Sequence, residues 1–412
     1  MKVLIINHGF PPNPGIGGRR WAKFAKYLAK KGFTVHVLYA KPIPGQPISS
    51  WTDDVTQPNI VHHPLPRRYP FDFSPKPSLK SRLVFHFWRL YFNIFSKKRM
   101  FDEVVFWEKQ LMHKASELIQ DHAIRNVMVS GAPFYLFAYA AKLKKRHPDV
   151  NLIADYRDPW IGARNYGMES LTEKGLQYEV ELQKRAAEQF NWILAPNAFL
   201  LAKIQATIPN KPQESFRALS HVYDPDDLPT LQERAKTSNT IDIVYGGSIS
   251  VGTEPFLHEL KVALDDLKVH KPDLYRRLNI SFYTSEGYLL DDFRGHDAVF
   301  HIHKPIGNMI FEKIKQADFC LILLAEETKN YLITKFAEYG TLKTPFLFIG
   351  ADGFASDFIK ENKLGISLAG SKNFSEDFSK AIVSQATFNA QYDPSQFEAS
   401  RVTDQLTALF VD

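Results

Sequence analysis

Residues 330–350 decide the fold, and they read NYLITKFAEYGTLKTPFLFIG. The apolar run at residues 319–325, FCLILLA, precedes them and is short and aliphatic enough to be a buried parallel strand. Thr334 is predicted to cap a short helix, and Pro345 ends that helix before the next strand at Phe346–Ile349. This order of strand, helix and strand indicates a parallel α/β domain.

The start of this predicted helix is suited to an anion. A helix that opens at the carboxyl end of a buried strand presents free backbone N–H groups and a positive dipole end. Lys335 lies in the first turn, which disfavours a cation unless an anion binds there, and Glu338 could reach ribose hydroxyls. The segment therefore predicts a seat for a nucleotide diphosphate. An ordinary βα unit with a solvated lysine and glutamate is the alternative, and these residues alone leave both open.

Length and composition describe a globular protein of two domains. The chain has 412 residues, of which 44% are hydrophobic and 23% charged. Cys320 is its single cysteine, so we expect no disulfide framework, no cysteine metal site and a reducing compartment such as the cytoplasm. We expect no signal peptide, and no run approaches the roughly 20 apolar residues of a membrane span. The net charge of +6 predicts an acidic partner without choosing among phosphate-bearing substrate, anionic lipid and nucleic acid.

The N-terminus begins with a strand, a glycine-containing loop, a helix and a second strand, which is the first unit of a doubly wound domain. The loop lacks the spaced triple-glycine fingerprint, so a nicotinamide cofactor is not indicated. Gly17 and Gly18 would instead let the backbone approach a ligand closely. A merely flexible loop is the alternative.

The remaining pattern predicts two α/β domains, at residues 1–222 and 223–392, with a C-terminal helix at 393–412 packing back on the first. A polar, proline-containing linker is expected within residues 221–240. Residues 41–77, which include His62 and His63, are predicted to be irregular surface. The other predicted strands of the first domain are residues 2–6, 33–39, 127–131, 151–154, 192–195 and 215–219. Those of the second are residues 241–245, 278–283, 299–303 and 365–368.

Residues 80–99 form a basic, aromatic segment with helical spacing. Leu83, Phe87, Leu90 and Ile94 fall on one face, and further aromatic residues widen it. Such a helix could lie in a membrane interface and bring the protein to a lipid-linked acceptor. It could also pack into its own domain with snorkelling cations at its edges. The width of the apolar face favours the packed interpretation.

Four places in the sequence together resemble GT-B glycosyltransferases, and specifically glycosyltransferase family 4. They are the first strand with GIGG at residues 15–18, ADYRDPW at 154–160, YGGS at 245–248, and residues 330–345. The resemblance spans nearly the whole chain in the right order. It implies two Rossmann-like doubly wound domains facing a central cleft, with the donor nucleotide mostly on the second. It also implies a retaining transfer of a sugar from a nucleotide diphosphate sugar, without a required metal or further cofactor.

The resemblance places two glycine turns near the donor. Gly17 and Gly18 fall on the loop that lies against the donor diphosphate and the acceptor. Gly246 and Gly247 fall on the turn that shapes the diphosphate pocket. Residues 155–158 fall on the strand end where relatives place polar groups around the transferred sugar.

The resemblance places the rest of the donor site in two later segments. His303, Pro305 and Ile306 fall on the segment whose backbone usually pairs with the base. Residues 333–335, beginning with Ile333, fall on the helix start that binds phosphate.

The chain departs from the family pattern at two points. Glu338 falls on the second carboxylate of a spaced pair that usually holds the ribose, but Asn330 occupies the first position. The cations that relatives carry after the second glycine turn are also not evident. Lys335, or Arg19 or Arg20 of the first domain, could supply the missing charge.

The chemistry of such a site is the departure of a diphosphate from an anomeric carbon, which needs preorganised donors and cations at the leaving oxygen. Lys335 and Arg20 are therefore predicted catalytic residues, and Asp158 is predicted to orient the sugar or acceptor. The alternative for Asp158 is a helix cap or an ion pair with Arg157.

Two patterns resemble metal sites weakly. Asp224 and Asp226 are spaced as in the metal-binding motif of another transferase fold, but here they lie beside a proline and are predicted to cap a turn. His301 and His303 share one strand face without a third ligand nearby in sequence. No metal site is predicted.

The leading hypothesis is a glycosyltransferase of polysaccharide or glycoconjugate assembly, acting on a glycan or lipid-linked acceptor. A GT-B sugar-nucleotide epimerase would bind the same donor but need no acceptor. A non-catalytic GT-B binding or scaffold protein is the hypothesis from another class. Nucleic-acid binding is weaker, because the basic residues are scattered and no binding motif is present.

Overall fold

The computed structural model describes residues 1–69, 79–95, 102–161, 168, 171–229, 239–384 and 386–412. The chain divides into two compact units, Met1–Ser220 with Ala399–Asp412, and His221–Glu398. The sequence placed these divisions after residues 222 and 392. Residues 230–238 of the predicted linker lie outside the described residues.

The first unit is built on a parallel sheet of seven strands in the order β3-β2-β1-β4-β5-β6-β7. The strands are β1 Lys2–Ile6, β2 Thr34–Ala40, β3 Ile60–Leu65, β4 Asn126–Gly131, β5 Asn151–Tyr156, β6 Trp192–Ala195 and β7 Phe216–Ala218. In the interior strand β1, Ile5 pairs with Val37 on one side and Met128 on the other. All three side chains are fully buried, as expected of a parallel sheet covered on both faces.

Helices connect these strands. They are α1 Arg19–Lys30, α2 Leu79–Phe95, α3 Glu108–His122, α4 Tyr135–Arg146, α5 Glu173–Gln189 and α6 Ala198–Thr207. The sequence pattern also predicts a helix over residues 102–121, but this helix begins later, at Glu108, because residues 103–106 form turns. Helix α6 was not predicted; it begins after Asn197, whose side chain accepts a hydrogen bond from the Leu200 N–H.

Strand β3 corrects the prediction that residues 41–77 are irregular. It pairs in parallel with β2, so that His62 lies opposite Val37 and His63 opposite Leu38. It is the edge strand of the sheet, where the missing N–H of a proline is tolerated, and it contains Pro64. Only the two end residues of β3 are buried, and the residues between them include two histidines and a proline, so the sequence lacks the apolar pattern of a strand.

Helix α2 also corrects the sequence interpretation. Packing into the domain was favoured, but the face formed by Leu83, Phe87, Leu90 and Ile94 is exposed. Phe92, on the opposite face, is buried. The wide apolar surface is therefore divided between a packed half and an exposed half. Residues 96–99 of the predicted helix lie outside the described residues.

The second unit is built on a parallel sheet of six strands in the order β10-β9-β8-β11-β12-β13. The strands are β8 Ile241–Gly246, β9 Leu278–Tyr283, β10 Phe300–His303, β11 Phe319–Leu323, β12 Phe346–Ile349 and β13 Gly365–Ser367. The helices are α7 Glu254–His270, α8 Pro272–Arg276, α9 Ile310–Gln316, α10 Thr334–Tyr339, α11 Phe354–Asn362 and α12 Phe374–Val383. Two clusters of buried apolar side chains cover the sheet.

The last helix, α13 Ala399–Thr407, belongs to the first unit, as the predicted return of the C-terminus requires. Lys31, just after α1, contacts Asp404 of α13 at 2.6 Å. Asn126 donates from its side chain to the Val411 carbonyl at 2.7 Å. Among the helices of the described residues, none is long and apolar enough to cross a membrane.

Candidate functional site

The candidate site lies in the second unit, where β8 ends at two glycines. Strand β8 is parallel to β9 and β11, so the loops that follow these three strands lie together at the carboxyl ends of the strands. A Cβ on Gly246 would come within 2.5 Å of Ile310 and 2.9 Å of the Tyr339 hydroxyl, so only glycine lets α9 and α10 pack against this strand end. Gly247 has φ +111°, a conformation that other residues rarely adopt.

Lys335 of α10 reaches this turn. Its Nζ lies 3.8 Å from the centre of the Tyr245 ring, and a Cβ on Gly247 would meet its Cε at 3.0 Å. The aromatic face stabilises the ammonium, and the Tyr245 hydroxyl donates to the Ser248 carbonyl at 2.6 Å. The structure therefore brings together Tyr245, the last residue of the predicted strand, with Gly247 and Lys335.

Burial lowers the pKa of Lys335 from 10.5 to about 7, although the acidic groups of Cys320, Glu338 and Glu286 act in the opposite direction. A lysine with this pKa is partly neutral near pH 7 in the unliganded protein. A dianionic ligand would favour its charged form. The group can thus become a cation at the moment an anion binds beside it.

Glu286 braces the same turn, and the sequence did not single it out. Its carboxylate accepts hydrogen bonds from the Ile249 N–H at 3.1 Å, the Thr284 hydroxyl at 2.8 Å and the Ser285 hydroxyl at 2.7 Å. Burial acts to raise the pKa of Glu286, but these hydrogen bonds outweigh it and hold the pKa below its ordinary value. The hydrogen bond from Ile249 to Glu286 joins residues 37 positions apart, so no local sequence pattern predicts it.

The start of α10 differs from the prediction by one residue. Ile333 is the N-cap, without a side-chain cap, and Thr334 is the first helical residue. The prediction that the Thr334 side chain caps this helix is therefore wrong, because the Thr334 backbone is already helical. Glu338 lies one turn further on and is half-buried. The helix is short and continues as a 3₁₀ turn over Gly340–Leu342, ahead of Pro345.

Asn330 is engaged with a neighbouring helix. Its side-chain carbonyl accepts a hydrogen bond from the Phe354 N–H, at the first residue of α11, at 3.0 Å. A Cβ on Gly353 would come within 2.9 Å of the same oxygen. The amide that stands where the resembled family has a carboxylate therefore ties its loop to α11. Its predicted part in donor binding stays a prediction.

The segment predicted to face a base follows β10. The His303 ring stacks on Tyr283 with centroids 4.6 Å apart, and β10 pairs with β9 along the sheet edge. Pro305 is exposed and Ile306 half-buried. This segment lies two strands away from β8 in the sheet order, and its contact with a base stays a prediction.

In the first unit, the glycine loop is held by Arg157. This guanidinium donates to the carbonyls of Gly17 at 2.7 Å, Gly131 at 2.8 Å and Ala132 at 2.8 Å. A Cβ on Gly18 would lie 2.3 Å from the Gly9 carbonyl oxygen, so this glycine is required by the chain's own backbone. These contacts hold this part of the loop against the chain's own backbone.

Arg20 is buried in the same unit. It donates to both carboxylate oxygens of Asp155, at 3.1 and 3.2 Å, and to the carbonyls of Leu219 and Ser220. Trp21 also donates to Asp155, at 2.7 Å. These contacts give Arg20 a structural part, and the catalytic part that the sequence assigned to it stays a prediction.

Two further predicted residues have different outcomes. Asp158 follows β5 and is half-buried; the three donor contacts of its neighbour Arg157 go to backbone carbonyls. Its orienting role stays a prediction. Asp224 accepts a hydrogen bond from the Asp226 N–H at 3.0 Å and caps a 3₁₀ turn, as the capping interpretation predicted.

We expect Gly247→Ala to lower the predicted sugar transfer about tenfold, because the added methyl group meets the Lys335 side chain as well as straining the backbone. Gly295→Ala is the matched control: Gly295 has φ +101°, but nothing lies within 4 Å of its Cβ position. Both variants should lose about 1 kcal/mol of stability from backbone strain. Steady-state kinetics and urea unfolding of both proteins measure this, and equal activities would separate Gly247 from the site.

No protein-family model and no curated protein matches this sequence. Solved structures do. The chain is similar to sucrose-phosphate synthase from Thermosynechococcus elongatus, at 10% identity and TM-score 0.59, over 100% of this chain and 95% of that one. It is similar to WaaG, a glycosyltransferase involved in lipopolysaccharide biosynthesis, at 12% identity and TM-score 0.55, over 99% and 95%.

The chain has the GT-B fold. The two parallel sheets of seven and six strands are the two Rossmann-like domains of this fold, and the predicted fold class is confirmed. A weaker GT-B similarity is to UDP-GlcNAc 2-epimerase from Neisseria meningitidis bound to UDP-GlcNAc, at 10% identity and TM-score 0.50, over 99% of both chains. At these identities the comparisons establish the GT-B fold alone.

Proposed function

We propose that the protein is a glycosyltransferase that takes a hexosyl group from a nucleotide diphosphate sugar. The observation that carries the proposal is the cluster of Lys335 over Tyr245 beside Gly247, whose positive φ other residues rarely adopt, at the carboxyl end of β8. In open parallel α/β sheets, ligands bind outside the carboxyl ends of the strands. Lys335 has a lowered pKa there, and a diphosphate that binds beside it would favour its protonated, positively charged form.

The chemistry asked of this cluster is the breaking of the bond between the anomeric carbon and the diphosphate oxygen. The bonding electron pair leaves with that oxygen, and the diphosphate gains negative charge. Lys335 would hold the charge through its ammonium, while Gly247 lets the backbone approach the phosphates. Glu286 would keep the turn in place through its bond to the Ile249 N–H.

The finer parts of the proposal concern the acceptor and the outcome. A hydroxyl of a glycan or of a lipid-linked sugar would form the new bond and pass its proton to the departing diphosphate, with retention of anomeric configuration and without a required metal. Asp158 of the first unit would orient the sugar or the acceptor. The process served would be bacterial-type polysaccharide or glycoconjugate assembly in the cytoplasm. The single cysteine, buried on β11, is consistent with that reducing compartment.

A donor screen tests the proposal. The protein is incubated with UDP-, GDP- and ADP-sugars, with and without a mixture of glycan acceptors, and free nucleoside diphosphate and glycosylated product are followed by mass spectrometry. We expect one donor to release its diphosphate with an acceptor present. Lys335→Ala should lose this turnover at least 100-fold, whereas Lys372→Ala, an exposed lysine of the same unit, should retain it. Turnover by Lys335→Ala equal to the parent protein would remove Lys335 from the mechanism.

Two alternatives have support of their own. The similarity to an epimerase favours isomerisation of the donor. The same screen detects this reaction as a nucleotide sugar with a changed sugar and no accumulation of free nucleoside diphosphate. The engagement of Asn330 with α11 favours a non-catalytic protein, since the ribose-binding carboxylate is replaced. A thermal-shift experiment with UDP and GDP separates this alternative, which predicts no shift with either nucleotide.

A further inference from the structure

Helix α2 presents two apolar faces, and the first unit covers one of them. Phe92 is buried, and its ring centroid lies 6.0 Å from that of Phe106. Trp88 packs on the same phenylalanine at 5.7 Å. This face fixes the helix to the unit, so that the direction of the opposite face is defined.

The opposite face is a continuous stripe of large apolar side chains. Its members follow one another at intervals of four, four, three and four residues, which places them along one side of an α-helix. They are Leu79, Leu83, Phe87, Leu90 and Ile94, and their exposed fractions lie between 59% and 79%. A helix of 17 residues carries such a stripe over about 25 Å. Exposed apolar side chains on monomeric proteins are usually scattered, so a row of this length marks an interaction surface.

The charge around the stripe has a single sign. Within α2, Lys80, Arg82 and Arg89 are exposed, and the helix contains no aspartate or glutamate. The sequence has no acidic residue anywhere from 73 to 101. Tyr91 borders the stripe and is 39% exposed, which gives it the amphipathic side chain favoured at a membrane surface.

We propose that α2 lies in the interface of an anionic lipid membrane, with its axis in the plane of the membrane. The stripe inserts among the acyl chains next to the headgroups, and Lys80, Arg82 and Arg89 contact lipid phosphates. A second copy of this chain is a poorer occupant, because pairing two such faces would bring the cations of both helices together. The inference rests on α2 and not on the proposed reaction, and its test needs no sugar donor.

The test is co-sedimentation of the purified full chain with vesicles. We expect binding to vesicles of three parts phosphatidylcholine and one part phosphatidylglycerol, and at least tenfold weaker binding to pure phosphatidylcholine. The double variant Leu83→Glu/Leu90→Glu should lose binding to the anionic vesicles at least tenfold, because it puts carboxylates into the stripe. Both positions are exposed, so its circular dichroism and thermal unfolding should match those of the parent chain.

Two further variants separate the contributions. Val269→Glu, at a 70% exposed position on α7, changes charge by the same amount per site and should bind vesicles like the parent chain. Arg82→Gln/Arg89→Gln should lose the preference for phosphatidylglycerol while keeping weak binding to phosphatidylcholine. Equal binding by the parent chain and Leu83→Glu/Leu90→Glu would overturn the proposal. So would a parent chain that binds neither vesicle, or a dimer in analytical ultracentrifugation that this variant dissociates.

Discussion

Lys335→Met should greatly reduce the proposed transfer and at the same time stabilise the second unit. Methionine keeps an apolar stem of similar length but removes the ammonium whose burial lowers its pKa to about 7. We expect a loss of turnover of at least 100-fold and a gain of about 2 kcal/mol in unfolding free energy at pH 7, after allowance for partial exposure. A group that costs stability and supplies function is typical of an active site.

The sign of the pH dependence follows from the two pKa values of this lysine. Between its folded value of about 7 and its ordinary value of 10.5, the unfolded chain binds more protons than the folded one. Stability of the parent protein should therefore rise with pH through this window, and the cost of the charged lysine is greatest below pH 7. This rise should be smaller in Lys335→Met. If both proteins show the same pH dependence, the lysine is not desolvated.

The second unit offers a specific probe for this measurement. Cys320 is the single cysteine of the chain and is fully buried on β11. Pulsed thiol labelling in urea therefore reports the opening of the second unit without a signal from the first. Lys372→Met serves as the control, since it removes an exposed cation of the same unit and should change neither labelling nor turnover.

The binding of UDP and GDP gives an independent readout of Lys335. If the ammonium form binds the diphosphate as proposed, affinity should fall by up to tenfold per pH unit above pH 7. Calorimetry above pH 7 in buffers of different ionisation enthalpy should detect proton uptake on binding, and Lys335→Met should lose it. Proton uptake that persists in this variant would assign the coupling to another group.

The sequence predicted the two-domain α/β fold because many buried parallel strands are continuous apolar runs. Strands such as Phe319–Leu323 and Phe346–Ile349 lie where the pattern placed them. Strand β3 was missed because it lies at the sheet edge, where pairing to β2 compensates for a polar, proline-containing sequence. The division of α2 into packed and exposed halves was missed too, since it depends on Phe106, which the helix pattern does not contain.

The candidate site was predictable in its residue types more than in its contacts. The glycines after β8 were recognised through the family resemblance, and the lysine of α10 through its position at the start of a helix that follows a buried strand. Their meeting, through Tyr245 and Gly247, joins residues about 90 positions apart and is set by the sheet order. Gly18 was expected to make room for a ligand, but its own chain, at the Gly9 carbonyl, excludes a side chain there.

Asp155→Asn should destabilise the first unit by about 3–5 kcal/mol, because it leaves the buried Arg20 charge without its partner. Asp155 is fully buried, and its carboxylate accepts two bonds from Arg20 and one from Trp21. All six tryptophans of the sequence lie in the first unit, so tryptophan fluorescence in urea follows that unit alone. A loss smaller than about 1 kcal/mol would mean that the ion pair is solvated.

Asp158→Asn is the matched control, three residues further along the same segment. Asp158 is half-buried, and we expect its neutral variant to lose less than about 1 kcal/mol of stability. If Asp158 orients the sugar or the acceptor, the same variant should lower turnover at least tenfold at unchanged fluorescence. The two carboxylates thus separate what holds the unit together from what acts on a substrate. If Asp158→Asn retains full turnover, Asp158 does not orient the sugar or the acceptor, and the role of this segment is the structural one of Asp155.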